Sequence, residues 1–112
     1  MITLPTPRTI TEAIRQADTA QRARQIIAEG YSFWPEADRD AIAICKPGFL
    51  HADYWLEDGG KTCDCPDFAK HRDYCKHVLA NSIVETENIP TLASTNVQTV
   101  WEFIARRDAV HA

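Results

Sequence analysis

Apolar residues near the start of the chain recur at helical spacing, but they form two sets that face different directions. The first set is Ile10, Ala13, Ile14 and Ala17, and the second is Ala23, Ile26 and Ile27. A capping box begins at Thr9, and another begins at Asp18, where the two sets conflict. The pattern therefore predicts two short helices, over residues 10–17 and 19–29, with Gly30 ending the second.

Shorter, alternating segments follow the helical part. The strand-like segments are YSFW (31–34), AIAIC (41–45) and FLHADYWLE (49–57). Turn sequences follow the second and third segments, namely Lys46-Pro47-Gly48-Phe49 and Asp58-Gly59-Gly60. We expect a three- or four-stranded antiparallel meander whose last turn leads to Cys63.

Helical spacing returns after residue 73. The apolar face is Val78, Leu79 and Ile83. Asp73 is the predicted N-cap, with Cys75 at the entrance of the helix, and Asn88 and Pro90 mark its end. A last helix is predicted to open at Thr95, and its apolar stripe is Val97, Val100, Trp101 and Ile104.

The predicted fold is α+β, with a small antiparallel β-meander flanked by N-terminal and C-terminal helices. We divide the chain into an N-terminal helical segment (1–30), a central unit (31–87), and a linker with the C-terminal helix (88–112).

Length and composition narrow the class of protein. The chain has 112 residues, 25% of them charged, and a net charge of −4, which argues against coating nucleic acid through bulk charge. It lacks an apolar run of membrane-spanning length and the basic and apolar regions of a secretory signal. A cytoplasmic protein is therefore expected, where metal thiolates are common and structural disulfides are disfavoured.

The strongest chemical signal is a cluster of three cysteines and one histidine with the spacing C-x-C-x9-C-x-H. Its members are Cys63, Cys65, Cys75 and His77. Three thiolates and an imidazole suit tetrahedral zinc, whereas iron–sulfur clusters usually take four cysteines. Disulfides, or buried cysteines beside a surface histidine, are the competing interpretations. If protein atoms fill all four positions, the site is closed, so the predicted cofactor is one structural Zn²⁺.

The residues CDCPDF and CKHVLA resemble the SWIM zinc finger, and the upstream run RARQIIAEGYSF resembles the lead-in of small stand-alone SWIM proteins. The likeness covers about residues 22–84. It implies a ββα finger in which a β-hairpin feeds the first ligand pair and a helix carries the second. It also implies a module that binds DNA or another protein.

Four residues, called here the finger cations, lie near the ligands in sequence and could contact phosphate: Lys61, Lys70, Arg72 and Lys76. Nearby acids, Asp64, Asp67 and Asp73, oppose them, and a Zn(Cys)3(His) centre adds a charge of about −1. A solvated loop of mixed charge is the alternative interpretation. Weak DNA binding, alone or within a larger complex, is the leading hypothesis, and a protein adaptor that uses the stripe around Trp101 is the second.

Other chemistry-bearing residues are interpreted structurally. Cys45 is expected in the core, and Phe68 beneath the finger. Three arginines seven residues apart, Arg8, Arg15 and Arg22, are expected to face solvent. The sequence shows no open metal position, acid–base pair or small-molecule substrate site, so an enzyme is not expected.

Overall fold

The computed structural model describes residues 4–36 and 38–91. Within these ranges the elements are α1 (Ile10–Glu29), β1 (Ser32–Pro35), β2 (Ala41–Cys45), β3 (Tyr54–Glu57), β4 (Thr62–Cys63), α2 (Pro66–His71) and α3 (Lys76–Glu87). The predicted α+β class is confirmed. The predicted C-terminal helix around Trp101 lies outside the described residues. None of the described helices is long and apolar enough to cross a membrane.

The predicted break between two N-terminal helices is wrong, because α1 runs without interruption to its left-handed C-cap at Gly30. No proline or glycine falls inside α1. Asp18 does not cap a new helix, because its carboxylate forms an i,i+4 ion pair with Arg22 at 3.0 Å. The two apolar sets do not conflict, because only the second is buried. In the first set Ile10 and Ile14 are 81% and 64% exposed.

The four strands form an antiparallel meander in chain order, as the turn sequences predict. Phe33 lies opposite Ile44, and Leu56 lies opposite Cys63. Phe33, Ile44 and Leu56 are buried in one core with residues of α1 and α3. The helices therefore pack on the face of the sheet that carries the first zinc-ligand candidate.

The opposite face of the sheet carries a row of side chains that crosses three strands. Trp34, Ala43 and Trp55 lie side by side in the pairing register. Together with Leu50 and Ala52 they line an open groove of about 410 Å³. The two tryptophans are half-buried, so they do not fill the core as fully as expected of aromatic residues in a small domain.

Two local features between β4 and α3 differ from the sequence prediction. A short helix, α2, was not predicted, although Pro66 occupies its first turn and Cys65 is its N-cap. Cys75, rather than Asp73, is the N-cap of α3. Asp73 cannot serve as the cap, because its carboxylate instead pairs with Arg15, 58 residues away.

The turn between β3 and β4 rests directly on α3. Gly60 is buried with a left-handed φ of +86°, and a Cβ built on it would lie 3.0 Å from the Asn81 amide nitrogen. Gly59 in the same turn has a φ of +66°, but a Cβ there would meet nothing within 4 Å.

We predict that Gly60→Ala lowers the free energy of unfolding more than Gly59→Ala. Both variants force alanine into a left-handed conformation, at a cost of about 1–2 kcal/mol. Only Gly60→Ala adds overpacking against α3, worth roughly 1–3 kcal/mol more. Urea unfolding of both variants measures the difference, and equal values would contradict the close packing of the turn on α3.

Candidate metal centre

Three thiols and one imidazole converge at one point of the structure. The ligand atoms of Cys63, Cys65, Cys75 and His77 all lie within 4.8 Å of one another. The Nδ1 atom of His77 is 3.7 Å from the Cys63 Sγ and 3.9 Å from the Cys75 Sγ. Tetrahedral zinc, with bonds of about 2.3 Å to sulfur and 2.0–2.1 Å to nitrogen, requires S···N separations of about 3.6 Å. The donor set and its geometry therefore fit zinc.

Each ligand stands at the end of a regular element, which fixes its direction. Cys63 is the last residue of β4, and Cys65 is the N-cap of α2. Cys75 is the N-cap of α3, and His77 is the second residue of that helix. The resemblance implies that the hairpin feeds the first ligand pair and a helix carries the second. The N-terminus of α3 does present Cys75 and His77, but the hairpin presents only Cys63, because Cys65 stands at the start of α2.

The four ligands are buried, with exposed fractions between 0 and 8%. The hydrogen bond from the Cys63 thiol is the largest influence that lowers the pKa of Cys75, and the His77 imidazole adds to it. The same hydrogen bond, followed by burial, raises the pKa of Cys63, and burial raises the pKa of Cys65. A bound cation would stabilise the thiolate forms of all three cysteines, which are the forms that bind metal.

The first turn of α2 donates a backbone hydrogen bond to the Cys65 thiol. The backbone N–H of Phe68 donates to the Cys65 Sγ at 3.4 Å, a contact that favours the thiolate. The Phe68 ring packs against the core cluster, which confirms its predicted place beneath the finger. The Tyr54 ring lies 5.0 Å from the His77 ring and covers it on the side of β3.

Because protein atoms supply all four donors, the centre holds one structural zinc ion. It ties the hairpin to α3 and leaves no coordination position for a substrate.

Cys45 lies apart from the centre. It is the last residue of β2 and is buried, as predicted. Burial raises the pKa of its thiol, which favours a neutral packing residue over a redox centre. Among the isolated histidines, His51 is exposed, with its ring 5.4 Å from Phe49, and His111 lies outside the described residues.

The finger cations are spread around the metal centre. Lys61 lies in the β3–β4 turn, Lys70 and Arg72 stand at the end of α2, and Lys76 opens α3. The first three are exposed and Lys76 is half-buried. None of them forms an ion pair with another described residue.

Sequence reasoning missed one residue beside the centre. The expectation that Arg15 faces solvent is wrong, because its guanidinium contacts Asp73 and Tyr74, just before Cys75. No sequence signal marks a pair of residues 58 positions apart. Arg8 and Arg22 are exposed, as predicted.

We predict that the purified protein contains one zinc per chain, and that Cys75→Ser abolishes binding while Cys45→Ser retains it. Structural zinc in small fingers contributes about 10–16 kcal/mol, comparable with the roughly 5–15 kcal/mol stability of a whole domain. Removing zinc by chelation should therefore expose the amides of residues 62–84 to hydrogen exchange before those of α1. Unchanged amide spectra after zinc removal would refute this role.

Comparison with known proteins supports the same assignment. The family model of the SWIM zinc finger matches residues 53–80, from the start of β3 into α3. No curated protein and no solved structure matches the chain. The matched segment contains all four ligands, and their side chains meet in the geometry that zinc requires. The chain therefore contains a SWIM zinc finger.

Proposed function

We propose that the finger is a DNA-binding module, acting weakly alone or as one component of a larger complex, with the finger cations as its phosphate contacts. The observation that carries this proposal is an imbalance of pairing among the charged groups around the zinc. Each of the three nearby acids has a hydrogen-bond or ion-pair partner within the fold, whereas none of the finger cations forms an ion pair with a described residue.

Each of the three acids that oppose the finger cations has an intramolecular role. Asp64 accepts a hydrogen bond from the backbone N–H of Trp55 at 2.8 Å. Asp67 lies 3.7 Å from the imidazole of His71, and Asp73 is held by Arg15. Lys61, Lys70 and Arg72 are exposed, Lys76 is half-buried, and none of the four forms an ion pair with a described residue, so the exposed three can exchange counterions with a phosphate backbone.

Arg72 gives a second reason to assign a binding role. Its φ of 59° is left-handed, at the C-cap of α2, where glycine or asparagine is favoured. Within residues 4–36 and 38–91, the other non-glycine residues with positive φ are Asp58 and Asn88, whose side chains tolerate this conformation. An arginine costs stability at such a position, and a conformational cost retained in a fold points to a functional side chain.

The test is a salt titration of DNA binding with Lys70→Gln and Arg72→Gly. Each variant should lower the slope of log K against log salt by about one unit, because one phosphate contact is lost. Arg72→Gly should at the same time raise the free energy of unfolding by about 1 kcal/mol, because glycine relieves the left-handed strain. If Arg72→Gly lowers the salt slope while raising the free energy of unfolding, the loss of DNA binding cannot be caused by a loss of folding.

Arg22→Gln is the matched control, since Arg22 is an exposed α1 arginine already paired with Asp18. Its slope should equal that of the unmodified protein. Absence of DNA binding at about 50 mM salt would remove the proposal, because phosphate contacts are strongest at low salt.

The second candidate function is a protein adaptor, and the open groove on the sheet favours it. Its floor is Ala43 and its walls are Trp34 and Trp55, with the Arg39 guanidinium 4.5 Å above the Trp55 ring. Tryptophan and arginine are the residues that most often dominate protein interfaces. The occupant we assign is a peptide segment with apolar side chains, an acidic group to meet Arg39 and a basic group to meet Glu36, which also lines the groove.

If the protein is an adaptor that binds a peptide in this groove, a photo-crosslinking residue in place of Trp34 should capture that peptide. Capture should fall at least tenfold on Ala43→Glu, which places charge on the floor, while zinc content stays at one per chain. Capture that is insensitive to Ala43→Glu would exclude the groove as the binding surface.

Neither proposed function involves catalysis at the zinc, because all four of its ligands are protein side chains. A cytoplasmic location remains the expectation from the sequence, and the zinc centre supports it, because metal thiolates are common in reducing compartments.

A further inference from the structure

Arg15 makes four contacts with the two residues that precede the ligand Cys75. Its two terminal nitrogens each donate to an oxygen of the Asp73 carboxylate at 3.2 Å. One of them also donates to the Tyr74 carbonyl at 3.1 Å, and the guanidinium carbon lies 4.2 Å above the centre of the Tyr74 ring. A planar, bidentate guanidinium fixes both the position and the orientation of its partners.

The contacted segment has few other means of holding its shape. It connects the left-handed residue Arg72 to the start of α3, and the N-cap of that helix, Cys75, makes no side-chain capping bond. Asp73 folds back to accept the N–H of Tyr74 at 2.7 Å, so the carboxylate held by Arg15 is also part of the local turn. The Tyr74 side chain is only 2% exposed, and burying it brings Cys75 into the core.

We propose that Arg15 is a positioning residue of the zinc centre: it presets the Asp73–Tyr74 segment so that Cys75 meets the other three ligands. The proposal makes α1, which lies outside the segment matched by the family model, part of the zinc-binding unit. Groups that orient metal ligands without touching the metal typically change affinity 10–100-fold when removed.

The fold offers a matched control within the same pair of helices. Arg24 of α1 forms a bidentate pair with Glu87 of α3, at 3.3 and 2.7 Å. This pair also joins α1 to α3, but Glu87 is the last residue of α3 whereas the ligands stand at its start. A general effect of helix docking would therefore appear equally in Arg15 and Arg24 variants.

The experiment measures zinc affinity of the full chain by competition with a chromophoric chelator, for Arg15→Ala, Arg15→Lys and Arg24→Ala. We expect Arg15→Ala to weaken zinc binding about tenfold or more, and Arg24→Ala to change it less than about twofold. Arg15→Lys should recover only part of the loss, because lysine restores a charge but neither the bidentate contact nor the ring stacking.

A spectroscopic measurement distinguishes positioning from stability alone. Cobalt(II) in the site of Arg15→Ala should show altered visible bands, because displacement of Cys75 distorts the tetrahedron, while Arg24→Ala keeps the parent spectrum. If Arg15→Ala lowers stability but leaves both the zinc affinity and the cobalt spectrum unchanged, the proposal is overturned. Should Arg15→Ala not fold, Asp73→Asn, which keeps size and loses charge, decides between the same two outcomes.

Discussion

The structure depends on a single polar constraint: three thiols and an imidazole share one buried point. The hydrogen bond between the Cys63 and Cys75 side chains raises the pKa of Cys63 and lowers that of Cys75, and burial raises the pKa of Cys65. A divalent cation offsets the mutual repulsion of the thiolates and replaces several proton-mediated contacts with strong bonds. The same ion closes the loop that contains α2, which joins a two-residue strand to a helix whose N-cap lacks a capping bond.

The two faces of the sheet differ in how they are packed. Its inner face packs on α1 and α3 through Phe33, Ile44 and Leu56. Small domains bury too little apolar surface to be stable by packing alone, and a structural metal supplies what is missing. The outer face of the sheet carries Trp34 and Trp55, which are half-buried and line the open groove. An apolar groove on the face of the sheet that points away from the core is suited to binding a partner protein, and this is the physical basis of the adaptor candidate.

Local signals explain how much of the fold and the zinc centre the sequence predicts. The ligand spacing, the turn residues and the glycine at position 30 act within a few positions, and each finds its expected place in the structure. The two errors have different causes. The predicted helix break at Asp18 assumed that both apolar sets must be buried, although Asp18 has a local i,i+4 partner in Arg22. The predicted cap at Asp73 ignored Arg15, 58 residues earlier, and a partner at that distance leaves no periodic or spacing signal in the sequence.

The Arg15–Asp73 pair also connects the zinc centre with the proposed DNA surface. Asp73 lies next to Arg72 in sequence, and a free carboxylate there would compete with phosphate for the Arg72 guanidinium. Because Arg15 engages both oxygens of that carboxylate, Arg72 keeps its charge available to solvent. One contact therefore has two consequences: it directs Cys75 toward the metal, and it engages the acid that follows Arg72 in sequence. The arrangement links zinc geometry to surface charge through a residue of α1, so the N-terminal helix contributes to the finger through chemistry as well as packing.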